Sequence, residues 1–285
     1  MSEPIYRKKT IEELTFTDDG MFQAVLHEPE ICAELIERLL HLKVKTVEYP
    51  ELEKQIAPYY TTKGVRLDVY LKDDDKIIDI EIQSYPQEAL GKRTRYYQSM
   101  IDMDSLMKGQ DYPELKDSYI LFICKQDPFK DDDDKQFGLP CYSFRNICEE
   151  NASVELNDKS VKVIYNASAY EKEEDERIRN LLKFISTNEP GKDDFSNRLS
   201  SIVEKLKENE EFRSDYAAMN LHDRDIQRAA RREGFAEGIT QGSLQKAIEA
   251  AVIAVKEFKV SPQLAAEKMN APLDKVLEKL KTDDK

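Results

Sequence analysis

Two adjacent segments decide the fold: Gly64-Val-Arg-Leu-Asp-Val-Tyr-Leu-Lys72 and Lys76-Ile-Ile-Asp-Ile-Glu-Ile-Gln83. In both segments apolar and polar residues alternate, which is typical of a β-strand with one buried face. The acidic triplet at 73–75 lies between them and is a turn signal. The two segments therefore predict an antiparallel β-hairpin.

The polar face of this hairpin carries acidic residues from both strands. Residues two apart in a strand share a face, so Asp68 and Glu81 both belong to the polar side. If the turn is symmetric about the bond between residues 74 and 75, Asp68 lies directly opposite Glu81. The same register pairs Arg66 with Gln83 and Tyr70 with Asp79.

Carboxylates that face each other across a sheet repel, so this arrangement needs a nearby positive charge. A divalent cation bridged by Asp68 and Glu81 would supply that charge, and it could also bind a phosphate and polarise water. The alternative is a solvated face on which Arg66 neutralises the acids. The alternation alone leaves both interpretations open.

Segments on either side of the hairpin predict further helices and strands. Apolar residues recur at helical spacing over 18–42, and Pro29 divides that stretch into two helices. After the hairpin we expect a helix over 88–108, which ends at Gly109, and a buried strand over 118–124. The remaining predictions are strands over 44–49, 139–147 and 161–165, and irregular chain over 51–63.

These elements predict a mixed α/β domain over residues 1–168. The chain then becomes helical and highly charged, so we expect a helical connector over 169–220 and a helical C-terminal region over 221–285.

Glycines 234, 238 and 242 recur at every fourth position, which aligns them along one face of a helix. A mid-helix glycine costs about 1 kcal/mol relative to alanine, and close approach of two helices would explain that cost. We therefore expect a homodimer formed through residues 225–256. A linker helix is the alternative.

The composition sets limits on function and location. Among the 285 residues, Lys and Arg number 43 and Asp and Glu number 57, which gives a net charge of −14. Taken alone, that balance argues against nucleic acid as a partner, because a duplex attracts basic surfaces. No apolar run is long enough for a membrane span, and no secretory signal is recognisable, so we expect a cytoplasmic protein.

Metal ligands other than carboxylates are scarce. The chain has four cysteines, none of them in a C-x-x-C pair, and three histidines. A catalytic metal would therefore be held mainly by Asp and Glu, which favours Mg²⁺ or Mn²⁺. Neither Gly-rich phosphate-binding motif is present.

The sequence Asp68 followed by Glu81-Ile82-Gln83 resembles the Asp…(Asp/Glu)-x-Lys core of PD-(D/E)XK nucleases. It is still more similar to the Rpn family of recombination-promoting nucleases, which often carry a transposase label. Supporting segments are spread over most of the chain: Phe16-Thr-Asp-Asp-Gly-Met-Phe22, Arg93-Thr-Arg-Tyr-Tyr97, Gly109-Gln-Asp-Tyr112, Tyr119-Ile-Leu-Phe-Ile-Cys124, Asp127-Pro-Phe129, Glu233-Gly234 and Glu237-Gly238.

The resemblance implies a restriction-endonuclease-like mixed sheet with the element order αβββαβ. It also implies a Mg²⁺-dependent (or Mn²⁺-dependent) DNA endonuclease that acts in recombination or on mobile elements. Carried over by position, Asp68 and Glu81 would be metal ligands, the Ile82 carbonyl could be a third, and Asp19 would be the acid of the first helix. Gln83 stands where the general nuclease motif has lysine, and it can only hydrogen-bond.

Several basic residues are candidates for contacts with DNA phosphates. Arg93 or Arg95 could reach phosphate oxygens from the helix after the hairpin, as could Tyr97. Arg228 and Arg231 could do so from the C-terminal region. The alternatives are surface salt bridges for the arginines and packing for Tyr97. Because Gln83 is neutral, a second hypothesis is a catalytically weak DNA-binding or assembly module with a nuclease fold.

Overall fold

The computed structural model describes residues 9–43, 51–56, 64–72, 75–85 and 88–283; the side chains of 219–241 and 282–283 lie outside this description. The chain divides into two structural units, Met1–Ser214 and Asp215–Lys285. The predicted strand over 44–49 falls outside the described residues.

A six-stranded mixed sheet forms the centre of the first unit, in the order β1-β2-β3-β4-β6-β5. β1, β2 and β3 are antiparallel neighbours, β3, β4 and β6 are parallel, and β5 pairs antiparallel with β6. The predicted α/β fold class is therefore confirmed. The strands are β1 (Glu51–Ile56), β2 (Val65–Lys72), β3 (Lys76–Gln83), β4 (Asp117–Cys124), β5 (Cys141–Phe144) and β6 (Ser160–Asn166).

β1 corrects the prediction of irregular chain over 51–63. Its sequence, Glu-Leu-Glu-Lys-Gln-Ile, has too few apolar residues to give a strand signal. β1 is an edge strand with β2 as its neighbour, and most of its side chains remain accessible to solvent. Charged side chains are typical of such edges because they discourage further strand pairing.

Eight α-helices lie within the described residues. Pro29 is the first residue of α2, so the predicted division at that residue is confirmed. α3 begins later and ends earlier than the predicted 88–108. The helices are α1 (Asp19–Leu26), α2 (Pro29–Leu40), α3 (Leu90–Ser105), α4 (Glu176–Thr187), α5 (Asp194–Glu208), α6 (Glu210–Phe258), α7 (Pro262–Lys268) and α8 (Leu273–Asp283).

Helices pack against the sheet from different sides. The Tyr97 ring of α3 lies 6.2 Å from that of Phe122 in β4, and the apolar core beneath α3 also includes Tyr70 and Ile120. Strand alternation directs Tyr165 of β6 to the opposite face, where its hydroxyl donates to the Leu39 carbonyl of α2. The polar face of the hairpin is therefore the face that α3 covers.

Helices α4 and α5 pack against α1 and α2 within the first unit. Arg38 of α2 connects them, since its guanidinium donates to the Arg177 carbonyl at 3.1 Å and forms an ion pair with Asp193. The same guanidinium lies 4.3 Å from the centre of the Phe195 ring. This contact ties the start of α5 to the helices that precede the sheet.

In the second unit, the end of α6 packs against α7 and α8. Ala251 and Val252 of α6, Ala265 of α7 and Val276 of α8 share one buried cluster. The Ser261 side chain caps α7 by accepting from the Leu264 backbone N–H. The last part of the chain, predicted to be helical, thus contains two short helices after α6. None of the helices in the described part of the chain combines the length and hydrophobicity that a membrane crossing requires.

Candidate functional site

The hairpin register places Asp68 and Glu81 side by side. The β2–β3 ladder pairs Tyr70 with Asp79 and Val69 with Ile80, as the symmetric turn predicts. One residue further along, side chains join the two strands. The Asp68 backbone N–H donates to Glu81 Oε1 at 3.0 Å, and the Ile82 N–H donates to Asp68 Oδ2 at 3.2 Å.

Each carboxylate thus accepts a hydrogen bond from the backbone of the opposite strand. These bonds fix the orientation of both side chains before any ligand arrives. The two acids are consequently held as a pair at the point where α3 crosses the hairpin. We refer to Asp68 and Glu81 as the carboxylate pair.

Arg93 of α3 forms an ion pair with Glu81, one member of the carboxylate pair. Its Nη2 lies 3.1 Å from Glu81 Oε2, and its Nη1 donates to Gln83 Oε1 at 3.3 Å. Its Nε donates to the Tyr97 hydroxyl at 2.9 Å. The guanidinium also lies 5.1 Å from the centre of the Tyr97 ring and 5.6 Å from that of Phe122.

Both ends of the Gln83 amide are engaged with the protein. Its Nε2 donates to the Ile82 carbonyl at 2.8 Å, while its Oε1 accepts from Arg93. Gln83 therefore connects one predicted metal ligand, the Ile82 carbonyl, to the guanidinium of Arg93.

The carboxylate pair is desolvated and carries excess negative charge. Burial, with repulsion from Asp19, raises the pKa of Asp68 to about 6, although Arg66 and Arg93 act in the opposite direction. Burial and repulsion from Asp68 raise the pKa of Glu81 to about 8. The alternative of a solvated face is therefore wrong, because both acids are buried. Arg66 pairs with Glu53 at 3.4 Å and still lowers the pKa of Asp68.

Asp79 adds a third carboxyl group to the same face of the hairpin. It is completely buried, and neither of its carboxyl oxygens has a hydrogen-bond partner among the described residues. Burial and repulsion from Glu81 and Asp68 raise its pKa well above the usual value. A buried carboxyl without partners is costly to the fold, which calls for a functional explanation.

Asp19 is the first residue of α1 and keeps a solvent-accessible side chain. Desolvation by the surrounding protein raises its pKa, Arg66 lowers it, and Asp18 raises it. Because Asp19 also raises the pKa of Asp68, its carboxylate belongs to the electrostatic environment of the carboxylate pair.

The other predicted residues have different positions. Tyr97 is buried and holds Arg93 through its hydroxyl, whereas Arg95 lies on the exposed side of α3. The side chains of Arg228 and Arg231 fall outside the described residues. Asp79 was not among the predicted site residues, although its position beside Asp68 and Glu81 on the polar face was the available signal.

The oxygen donors of the site fit a hard divalent cation. Within the described ranges, no three or more His, Cys, Asp or Glu residues are grouped to hold a metal ion. Mg²⁺, however, usually takes one or two carboxylates and keeps several waters, so a pair is sufficient. Asp68, Glu81 and the Ile82 carbonyl have oxygen atoms of the kind that such a cation binds, and the carboxyl oxygens of Asp79 have no hydrogen-bond partner among the described residues.

A family model described as PD-(D/E)XK nuclease family transposase matches residues 21–233, which is more than half of the chain. The chain belongs to this family. No curated protein and no solved structure matches the chain significantly. The matched range of the nuclease family includes the carboxylate pair, Gln83 and Arg93, while Asp19 lies two residues before it.

Proposed function

We propose that the protein is a metal-dependent DNA endonuclease that hydrolyses phosphodiester bonds, in recombination or in the activity of mobile elements. One observation carries this proposal: a member of the PD-(D/E)XK nuclease family holds two buried carboxylates, Asp68 and Glu81, side by side beneath a helix. Mg²⁺ or Mn²⁺ is the proposed cofactor, and cytoplasmic location stays a prediction.

Asp68 and Glu81 would hold the metal, with the Ile82 carbonyl as a further ligand. A cation bound there would polarise the scissile phosphate and lower the pKa of a bound water. The backbone hydrogen bonds from Asp68 and Ile82 keep the two carboxylates in a fixed orientation, so little reorganisation is needed when a substrate binds. Asp19 adds negative charge that favours cation binding.

Gln83 would act through the groups it holds. Its amide is bonded to the Ile82 carbonyl and to Arg93, which supports a role in positioning the ligand oxygen and the attacking water. Because Gln83 is neutral, it cannot offset the developing negative charge as a lysine can. Arg93 is the nearby group that supplies positive charge.

DNA would be held by local basic groups, because the chain as a whole is acidic. Arg93 and Tyr97 line the carboxylate pair, and Arg95 is exposed one half-turn further along α3. Arg228 and Arg231 remain proposed phosphate contacts. The net charge of −14 opposes DNA, so we expect a modest affinity that depends on salt and on divalent cation.

Plasmid nicking tests the proposal. We expect purified protein to convert supercoiled plasmid to the nicked form in Mg²⁺ or Mn²⁺, and to lose this activity when EDTA removes the metal. Binding of the same plasmid without cleavage in either metal would contradict the proposed function. It would favour the second candidate, a nuclease-fold DNA-binding or assembly module, for which the neutral Gln83 is the supporting observation.

We also propose that the protein is a homodimer formed through α6. Gly242 supports this because a Cβ added there meets nothing within 4 Å in the described part of the chain. Packing among the described residues of one subunit therefore gives no reason for glycine at this position of a long helix. Close approach of a second copy would give such a reason.

Substitution of Gly242 distinguishes a dimer interface on α6 from a linker helix. We expect Gly242→Leu to shift a sedimenting dimer toward monomer, while the helix content measured by circular dichroism stays equal or rises, since leucine favours helix over glycine. Gly191→Leu is not a suitable control because a Cβ there collides with Asn180. Gly91→Leu, which also has open space, serves instead. A wild-type monomer at micromolar concentration would contradict the dimer. An unchanged dimer in Gly242→Leu would contradict close approach of the two copies at Gly242.

A further inference from the structure

A positively charged side chain, that of Arg93, already contacts the carboxylate pair. Arg93 donates to Glu81 Oε2 at 3.1 Å, to Gln83 Oε1 at 3.3 Å and to the Tyr97 hydroxyl at 2.9 Å. The Tyr97 and Phe122 rings flank the same guanidinium. Arg93 is thus held in one position by contacts on several sides.

Arg93 contacts the same groups that are the proposed metal ligands, either directly or through Gln83. Glu81 Oε1 accepts from the Asp68 N–H, and Glu81 Oε2 accepts from Arg93. The Ile82 carbonyl, the third proposed ligand, accepts from the Gln83 amide, which is itself bonded to Arg93. A cation that reaches Glu81 therefore meets a guanidinium at hydrogen-bond distance from the same carboxylate.

Two like charges at such a separation repel strongly, particularly in a site from which water is largely excluded. A carboxylate oxygen can accept more than one bond, so the conflict is electrostatic rather than steric. The buried acids Asp68 and Glu81 favour positive charge at this point, and either a guanidinium or a divalent ion can supply it.

We propose that Arg93 is the resident counter-cation of the site and that a divalent metal must displace it from Glu81 in order to bind. The contact between Arg93 and Glu81 is then autoinhibitory in the metal-free protein. Displacement frees the guanidinium beside the metal, where a substrate phosphate can receive it in a bidentate contact. This inference rests on the proposed function, because it takes the carboxylate pair as the metal ligands.

Mn²⁺ binding without DNA measures the competition directly. Titration followed by the electron paramagnetic resonance signal of free Mn²⁺, at about pH 8.5 to limit competition by protons, gives the dissociation constant. We expect Arg93→Gln, which removes the charge and keeps a polar side chain, to bind Mn²⁺ at least about fivefold more tightly than the wild type. A loss of structure would instead weaken binding.

Two further arginine variants show whether charge is the cause. Arg93→Lys keeps the positive charge and should bind Mn²⁺ within about twofold of the wild type. Arg95→Gln removes an arginine from the exposed side of the same helix and should also stay within about twofold, because solvent screens its charge. If Arg93→Gln fails to fold, Tyr97→Phe replaces it, since it removes only the hydroxyl that anchors Arg93 and should tighten binding by at least about twofold.

Unchanged or weaker Mn²⁺ binding by folded Arg93→Gln would overturn the inference, as would equal tightening in Arg93→Lys. Either result leaves the proposed function intact, provided that the wild type binds Mn²⁺ and Asp68→Asn does not. Failure of the wild type to bind Mn²⁺ at all would overturn both.

Discussion

Asp68→Asn and Glu81→Gln are each expected to slow metal-dependent DNA cleavage by at least about a thousandfold, because each removes one of two carboxylates that would hold the metal, a loss of several kcal/mol of transition-state stabilisation. Both substitutions keep the size and hydrogen-bonding shape of the side chain. The Asn oxygen can still accept from the Ile82 N–H, and the Gln oxygen from the Asp68 N–H. The hairpin should therefore stay folded.

Initial rates of plasmid nicking in Mg²⁺ and in Mn²⁺ measure this effect. Asp132→Asn is the matched control, since Asp132 lies in an exposed loop, and its rate should equal that of the wild type. Circular dichroism establishes that each variant is folded. Retention of the full rate by either Asp68→Asn or Glu81→Gln would remove that residue from the proposed metal site.

Asp79→Asn is expected to stabilise the metal-free protein by about 2 kcal/mol at pH 8, since it removes a buried carboxyl group that has no hydrogen-bond partner among the described residues. The pKa of Asp79 is raised by burial in the folded state, so the native protein binds more protons than the unfolded chain as the pH rises above the ordinary aspartate pKa. Stability of the wild type therefore falls as the pH rises, and the advantage of Asp79→Asn should shrink toward pH 4.

Urea denaturation in EDTA between pH 4 and pH 8 measures this difference. The same Asp132→Asn control should change the free energy of unfolding by less than about 0.5 kcal/mol, as is usual for an exposed position. A destabilising effect of Asp79→Asn would mean that the carboxyl group makes stabilising contacts. A gain that does not vary with pH would mean that folding does not raise the pKa of Asp79.

The hairpin illustrates what the sequence can predict. Alternation identified β2 and β3, and the short acidic turn between them gave a register in which Tyr70 meets Asp79, as the structure has it. The adjacency of Asp68 and Glu81 followed from that register, because side chains in strands repeat every second residue. Pro29 likewise marked the start of α2.

The sequence could not show which groups surround the carboxylate pair. Arg93 and Arg95 are equivalent as sequence features, yet only Arg93 faces the sheet, since the choice depends on how α3 is rotated when Tyr97 packs on Phe122. The complete burial of the Asp79 side chain also depends on tertiary packing, because α3 covers the polar face of the hairpin. β1 gave no signal because an edge strand needs few apolar residues.

Anomalous diffraction from a crystal of the protein grown with Mn²⁺ tests the central claim most directly. We expect one anomalous peak within about 2.5 Å of carboxylate oxygens from both Asp68 and Glu81, at the distance typical of oxygen ligands to small divalent cations. The guanidinium of Arg93 should then have moved away from Glu81. A crystal in which Mn²⁺ binds elsewhere, with Arg93 still bonded to Glu81, would contradict the claim that this carboxylate pair is the metal site of a nuclease.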